Sequence, residues 1–135
     1  MIAVDASAIV AILLGEPEAE TYREFLLAQD EAWLSPIGYW EITTRLRSLR
    51  GEDGLAEVEI VLAGLNLRIA DASARTARLA SRAEGEYGKR TAARLNLGDC
   101  FAYALAKELD APLLFKGDDF DKTDVRPVDL PRNPA

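Results

Sequence analysis

The stretch MIAVDASAIV at residues 1–10 decides the fold of this chain. An apolar run ends in a single acid, Asp5, and two small residues lead directly into a second apolar run. This pattern predicts a buried strand at 2–4, a carboxylate at its end and a helix at 6–14. Ligands of open α/β sheets bind beyond the carboxyl ends of parallel strands, so Asp5 is a candidate site residue. Helix N-capping by Asp5 is an equally good explanation.

Apolar residues recur along the rest of the chain with spacings that predict alternating strands and helices. Further strands are expected at 32–34, 66–70 and 112–115, with an edge strand at 125–128. Helices are expected at 17–29, 36–49, 55–64, 72–87 and 98–109, with a turn at 51–54. Strands separated by helices indicate a parallel sheet covered on both faces. The predicted fold class is α/β, a single three-layer α/β/α sandwich with a short, mostly parallel central sheet of four to five strands.

The composition restricts the chemistry that the chain can perform. Its 135 residues fit one domain and include no histidine and one cysteine. Histidine-based triads, His-ligated zinc, internal disulfides and multi-thiolate metal sites are therefore excluded. Carboxylates remain as ligands for hard cations such as Mg²⁺ and Mn²⁺. No apolar run approaches a membrane span and no signal peptide is visible, so we expect no membrane association and a cytoplasmic location.

The net charge of −7 argues against broad nucleic-acid binding, but the charges are unevenly distributed. Residues 75–94 contain six basic residues against two acidic ones. Residues 108–129 contain seven acidic residues against three basic ones. We therefore expect the molecule to have a basic side and an acidic side.

Other acidic residues occur at positions that resemble that of Asp5. Asp99 begins the most apolar predicted helix, and the pair Asp118 and Asp119 directly follows a late buried strand. Glu41 is flanked by large apolar residues inside a predicted helix. Each acid also has a structural explanation: a favoured helix N-terminus for Asp99, a turn for the Asp pair and an i,i+4 ion pair for Glu41.

These acids are expected to meet at one edge of the sheet. Crowded and desolvated carboxylates repel one another, so some would stay protonated unless a cation enters. One or two Mg²⁺ ions would neutralise the cluster, lower the pKa of a bound water and stabilise the attacking and leaving oxygens of an in-line displacement. Such a site can hydrolyse a phosphodiester without histidine.

Four segments, taken in order, resemble the motifs of PIN domains. IAVDASA at 2–8 is similar to their hydrophobic-Asp-[Thr/Ser]-[Asn/Ser]-hydrophobic opening, and SPIGYWE at 35–41 is similar to their Ser-x₅-Glu helix start. LNLGDCFAYALA at 95–106 and LLFKGDDF at 113–120 resemble the later segments of the bacterial VapC-type toxins. The resemblance implies a PIN domain over residues 1–130, followed by a C-terminal tail at 131–135.

The resemblance also implies an activity, that of a Mg²⁺-dependent endoribonuclease in which Mn²⁺ can substitute. The implied catalytic residues are Asp5, Glu41, Asp99 and Asp118, of which Asp5 and Asp99 are the metal ligands. Asp118 is preferred as the fourth acid because it comes first after the strand, and Asp119 stays open because the two acids are adjacent. Ser7 is expected to support the site by a hydrogen bond to a ligand carboxylate or to water.

The same resemblance implies partners. VapC-type toxins cleave RNA, form homodimers and are inhibited by a VapB-type antitoxin, with which they form a heterotetramer or a larger assembly. The antitoxin places a basic side chain among the acids, in a groove for which the apolar residues Trp33, Tyr39, Trp40 and Leu46 are candidates, with core packing as their alternative. Candidate contacts to RNA phosphates are Arg75, Arg78, Arg82, Lys89, Arg90 and Arg94, whose alternative is a plain solvated surface.

Two other functions stay open. A phospho-receiver signalling domain has a similar size and a carboxylate-bound Mg²⁺, and Lys116 could serve as its lysine. Such a domain needs an acidic pair after the first strand and an acceptor Asp after the middle strand, whereas Asp5 stands alone and only Asp71 follows the middle strand. A catalytically silent PIN-like binding module is the second alternative, and the full set of acids argues against it.

Overall fold

The central sheet has four short strands, all parallel, in the computed structural model, which describes residues 1–131. The strands are β1 (Ile2–Val4), β2 (Ala32–Leu34), β3 (Leu67–Ile69) and β4 (Leu113–Leu114). Five helices connect and flank them: α1 (Ala6–Leu13), α2 (Ala19–Leu27), α3 (Pro36–Gly64), α4 (Ala74–Tyr87) and α5 (Leu97–Leu109). Of the tail expected at 131–135, residues 132–135 lie outside the described residues.

The strand order β3-β2-β1-β4 places the first strand in the interior of the sheet. Ala3 is level with Trp33 of β2 on one side and with Leu113 of β4 on the other. The Asp5 N–H donates to the Leu114 carbonyl at 2.8 Å, which continues this ladder by one residue. Asp5 is therefore held at the carboxyl end of an interior strand, where the α/β fold places its ligands.

Alternate residues of β1 face two separate parts of the core. Ile2 and Val4 pack with α1, α2 and α3, whereas Ala3 packs with α4 and α5 on the opposite face. This alternation is the two-residue period of a strand. The α/β/α sandwich expected from the sequence is thereby confirmed, with helices on both faces of the sheet.

Several element bounds differ from the expectation. Residues 36–64 comprise two helical segments joined at a kink, where Gly51 leaves the helical conformation (φ 64°, ψ −152°). The break expected at 51–54 is therefore present but confined to Gly51, since glycine adopts a positive φ without steric cost. Helix α5 begins at Leu97, one residue before the expected start at 98, with Asn96 as its N-cap.

The edge strand expected at 125–128 is reduced to a single bridge. Leu113 N–H donates to the Arg126 carbonyl at 2.8 Å, and Val128 N–H donates to the Leu113 carbonyl at 3.1 Å. Pro127 pairs with Leu113 in a parallel bridge without needing an N–H of its own. Within the described residues, no helix is both long and apolar enough to cross a membrane.

Candidate active site

A pocket of about 370 Å³ lies at the carboxyl end of the sheet and collects acids from four parts of the chain. It is bordered by α1, the start of α3, the start of α5 and the loop after β4. Its carboxylates belong to Asp5, Glu41, Asp99 and Asp119, with Glu16 at the border. Its other polar and basic residues are Ser7, Arg45, Asn96 and Lys116. The convergence expected from the sequence is therefore present in the fold.

Asp5 both caps a helix and faces the pocket. Its Oδ2 accepts a hydrogen bond from the Ser7 N–H at 3.1 Å, which makes it the N-cap of α1. The Ser7 Oγ accepts a hydrogen bond from the Lys116 N–H at 3.0 Å, so Ser7 joins α1 to the chain after β4. Capping and a site role, which the sequence left as alternatives, are compatible in this geometry.

Glu41 reaches the pocket from the second turn of α3. This helix begins at Pro36, and the buried Ser35 caps it by accepting the Gly38 N–H at 2.8 Å. The Glu41 carboxylate lies over Gly98, where an added Cβ would overlap it. Within residues 1–131, Glu41 forms no ion pair with Arg45, the partner at i+4 that the helix offered.

Asp99 is fixed by a reciprocal capping box at the start of α5. The Asn96 N–H donates to Asp99 Oδ2 at 3.0 Å, and the Asp99 N–H donates to Asn96 Oδ1 at 2.9 Å. This arrangement satisfies two backbone donors at the helix N-terminus and orients the carboxylate. Asp99 is 8% exposed and Asp5 is 6% exposed, so both are largely withdrawn from water.

The loop after β4 places Asp119, not Asp118, among the other acids. Asp119 lines the acid pocket, whereas Asp118 lines only an adjacent cavity of about 400 Å³. The sequence preference for Asp118 thus differs from the placement in the structure. The sequence feature that could have indicated Asp119 is Phe120, the residue that follows it. The Phe120 ring is buried against Phe115, with 5.0 Å between ring centroids, and anchors Asp119 next to it.

Burial and mutual repulsion raise the pKa values of three of these acids. Burial raises the pKa of Asp5 to about 6, with further increases from the charges of Asp99 and Asp119, against hydrogen bonds from Ser7 that lower it. Burial, together with Asp5 and Asp99, raises the pKa of Glu41 to about 7. Burial likewise raises the pKa of Asp99. The pocket therefore favours bound protons or a bound cation near neutral pH.

The donor chemistry of the pocket fits a hard divalent cation. Its oxygen ligands are the type that Mg²⁺ and Mn²⁺ prefer, and no thiolate or imidazole competes with them. Among the described residues, no three acids are arranged so that they could hold an ion as they stand. Mg²⁺ commonly uses one or two carboxylates and several waters, so Asp5 and Asp99 suffice if the side chains adjust.

The six basic residues expected to contact RNA do not line the acid pocket. Three of them line a separate cavity on α4: Arg75, Arg78 and Arg82. Lys89 and Arg94 line the cavity next to the acids, together with Lys122. Arg90 is exposed in the same loop.

Sequence reasoning gave no site role in the acid pocket to two basic residues that line it. The sequence predicts Arg45 only as an ion-pair partner of Glu41, and Lys116 only as part of a receiver site. Lys116 forms ion pairs with Glu16 and with Glu18, the latter at 3.1 Å. Its position directly after a buried strand was the signal that could have placed it here.

Comparison with known proteins gives the family of the chain. The family model described as PIN domain matches residues 2–126. VapC ribonuclease Mb0640 of Mycobacterium bovis is 40% identical over 129 residues, which cover 95% of this chain and 98% of the relative. Ribonuclease VapC of Mycolicibacterium smegmatis is 40% identical over 126 residues, covering 93% of this chain and 98% of the relative.

Solved structures agree with the fold. The crystal structure of Mycobacterium tuberculosis VapC20, described as a sarcin-ricin loop cleaving toxin, has a TM-score of 0.76 at 18% identity and covers 97% of this chain and 100% of that chain. VapBC2 from Rickettsia felis, bound to a DNA fragment from its promoter, has a TM-score of 0.75 at 17% identity and covers 97% of this chain and 100% of that chain.

The strand order β3-β2-β1-β4 differs from the 2-1-3-4-5 order of receiver domains, which removes the phospho-receiver alternative. The family model and the relatives at 40% identity together show that this chain belongs to the PIN-domain family, in its VapC ribonuclease group.

Proposed function

We propose that this chain is an endoribonuclease that hydrolyses RNA phosphodiester bonds and acts as the toxin of a type II toxin–antitoxin pair. The observation that carries the proposal is the convergence of Asp5, Glu41, Asp99 and Asp119 in one pocket of a VapC-group PIN domain. Relatives that are 40% identical over nearly their whole length carry the name ribonuclease. A PIN-like module without catalysis would have no need to keep four repelling carboxylates together.

The roles of the acids follow from their surroundings. Asp5 and Asp99 are the most buried of the set and would hold a divalent cation, Mg²⁺ or Mn²⁺. Such an ion, when bound, supplies a Lewis acid and lowers the pKa of a coordinated water. Glu41, with a pKa of about 7, is suited to accept a proton from the attacking water near neutral pH. Ser7 holds the Asp5 carboxylate in place through its N–H.

We assign the fourth acidic position to Asp119. It shares the pocket with the other acids, and its charge raises the pKa of both Asp5 and Asp99. Asp118 lines only the neighbouring cavity, beside Lys89 and Lys122, and does not line the pocket that contains Asp5 and Glu41.

The partners proposed are an RNA substrate, a second copy of the chain and a VapB-type antitoxin, with a heterotetramer or larger assembly when the antitoxin is bound. Two structural neighbours are toxin–antitoxin complexes, VapBC2 from Rickettsia felis and a complex from Klebsiella pneumoniae. A basic side chain from an antitoxin would replace the cation electrostatically in this acidic pocket. The basic residues beside the site and on α4 are the proposed contacts to RNA phosphates, and the cytoplasm, where such RNA is found, is the proposed location.

The test is RNA cleavage by the purified chain without antitoxin. Total RNA is incubated with the protein and Mg²⁺ or Mn²⁺, and in parallel with EDTA. We expect cleavage with metal, none with EDTA, and a loss of at least about 100-fold in Asp5→Asn and in Asp99→Asn. Cleavage that persists unchanged in either variant contradicts the metal–carboxylate mechanism. Absence of cleavage in the unchanged chain favours the silent binding module.

A further inference from the structure

The acid pocket continues on one side into an open groove of about 530 Å³ along α3. Glu41 and Arg45 line both cavities, so the groove begins at the catalytic acids. Its remaining lining residues are Trp40, Thr44, Ser48 and Leu49. These residues lie on two adjacent stripes of the helix, each with four-residue spacing. The groove spans about 12 Å from Glu41 to Leu49 at the helical rise per residue.

Trp40 exposes its ring in this groove. Trp40 is 63% exposed, whereas Ile42 and Leu46 of the same helix are both fully buried in the core. The aromatic surface is therefore not needed for packing within this chain. Four of the six groove residues are polar or charged while the exposed lining surface is mainly apolar, so the groove offers both a face for stacking a base and polar groups for its phosphate. Aromatic rings beside basic residues are the usual platform for single-stranded nucleic acid.

Arg45 is available to bind an anion. It is exposed, and among residues 1–131 it forms no ion pair, since Glu41 turns towards Gly98. Lys116, the other basic residue of the pocket, is bridged to two glutamates. A guanidinium group binds phosphate oxygens in a bidentate manner, and here it would offset the repulsion between the substrate and the acids.

A second basic group lies on the other side of the acids. The cavity lined by Lys89, Arg94 and Lys122 shares Asp99 and Asp119 with the acid pocket. The groove along α3, the acid pocket and the cavity at Lys89 thus adjoin one another. The acids lie between Arg45 on one side and Lys89, Arg94 and Lys122 on the other. A strand that follows these cavities passes its phosphates over the catalytic carboxylates.

We propose that the groove along α3 binds the nucleotide next to the cleaved bond of a single-stranded RNA, with Trp40 stacked on its base and Arg45 bound to its phosphate. This inference rests on the ribonuclease function proposed above and adds the residues that hold the substrate. Stacking on Trp40 accepts any base, so the contact positions the strand without selecting a sequence. The occupants that compete with RNA for the groove are an antitoxin segment and a second copy of the chain.

Binding of a fluorescein-labelled single-stranded RNA in EDTA, followed by anisotropy and by quenching of tryptophan fluorescence, tests this proposal without cleavage. We expect Trp40→Leu to weaken binding about 10- to 100-fold and to abolish most of the quenching, and Trp40→Phe to restore most of the affinity. Arg45→Gln should weaken binding at low salt and reduce the slope of log affinity against log salt by about 0.7. Arg45→Lys should keep the slope and lose part of the affinity.

Two matched variants on the same helix serve as controls. Arg47 is exposed and pairs with Glu52 away from the groove, so Arg47→Gln should bind RNA like the unchanged chain. Ile60 is 71% exposed and lies outside the groove, so Ile60→Ala controls for removal of an apolar surface side chain. Thermal unfolding of all variants shows whether each is folded.

The outcomes separate this inference from the ribonuclease proposal. RNA binding by Trp40→Leu and Arg45→Gln that equals that of the unchanged chain overturns the inference, even when the unchanged chain cleaves RNA. A shift from dimer to monomer in Trp40→Leu with unchanged RNA affinity also overturns it and assigns the face to an interface between copies. Loss of binding in both variants supports it, even when no cleavage is found and the ribonuclease proposal fails.

Discussion

The carboxylate of Glu41 occupies the space over Gly98 that a side-chain Cβ would fill. Gly98 directly precedes Asp99, so this close approach between α3 and α5 brings two acids of the site together. The burial that results is the largest cause of the raised pKa of Glu41. A single glycine thus sets both the position and the protonation of the proposed base.

Replacing Gly98 with Ala should damage the site. The new Cβ would overlap the Glu41 carboxylate, so we expect RNA cleavage to fall by at least about 10-fold and the free energy of unfolding to fall by about 1–3 kcal/mol. Gly85→Ala is the matched control, because an added Cβ there meets no atom within 4 Å. Gly85→Ala, inside α4, should keep its activity and gain up to about 1 kcal/mol in the free energy of unfolding. Equal activity in both variants would contradict the role of Gly98.

Asp119→Asn and Asp118→Asn form a matched pair of neighbouring variants. Only Asp119 lines the acid pocket, so we expect its variant to lose about 10- to 100-fold in cleavage rate, with Asp118→Asn within a few-fold of the unchanged chain. The comparison is made by initial rates on one RNA at saturating Mg²⁺. The reverse order of the two effects would return the assignment to Asp118.

The metal-free protein should lose stability as the pH rises from about 4 to 7. The folded chain binds a proton at Asp5, with a pKa of about 6, and at Glu41, with a pKa of about 7, more tightly than the unfolded chain does. Stability from these groups is therefore complete below about pH 4, falls as the pH rises up to about 6 for Asp5 and about 7 for Glu41, and changes no further above those values. For Asp5 the loss is on the order of 3 kcal/mol. Denaturant unfolding in EDTA at several pH values measures it.

Two comparisons test the cause of this pH dependence. Asp5→Asn keeps a capping side chain but removes the charge, so it should flatten the decline and be more stable than the unchanged chain at pH 8 in EDTA, although inactive. Mg²⁺ or Mn²⁺ should raise the melting temperature more at pH 8 than at pH 5.5, because the carboxylates are then free of protons. A metal effect independent of pH would argue against binding at these acids.

Loss of the N-cap of α3 should weaken both the fold and the site. Ser35 is buried and accepts the Gly38 N–H at 2.8 Å, so Ser35→Ala should cost about 1–2 kcal/mol in the free energy of unfolding. Because Glu41 lies in the second turn of this helix, a decrease in cleavage rate should accompany it. Ser48→Ala, at an exposed position of the same helix, should change stability by less than about 0.5 kcal/mol.

The sequence by itself determined the order of elements and most of their bounds. The runs around Asp5 and in the strand at 32–34 are short, apolar and bounded by capping residues, and these are local properties that a single chain segment carries. The carboxyl ends of parallel strands share one edge of the sheet, so the convergence of Asp5 with the later acids was also predictable.

The tertiary structure alone decided which side chains enter the pocket. Gly117 has a φ of 93°, and the turn that it opens directs Asp119 into the pocket and Asp118 into the next cavity. The direction of a side chain in a turn depends on backbone angles and not on residue type, so two adjacent Asp residues are indistinguishable from sequence. In the same way, the contact between Glu41 and Gly98 leaves Arg45 without its helical partner, because packing between α3 and α5 overrides the i,i+4 pairing within one helix.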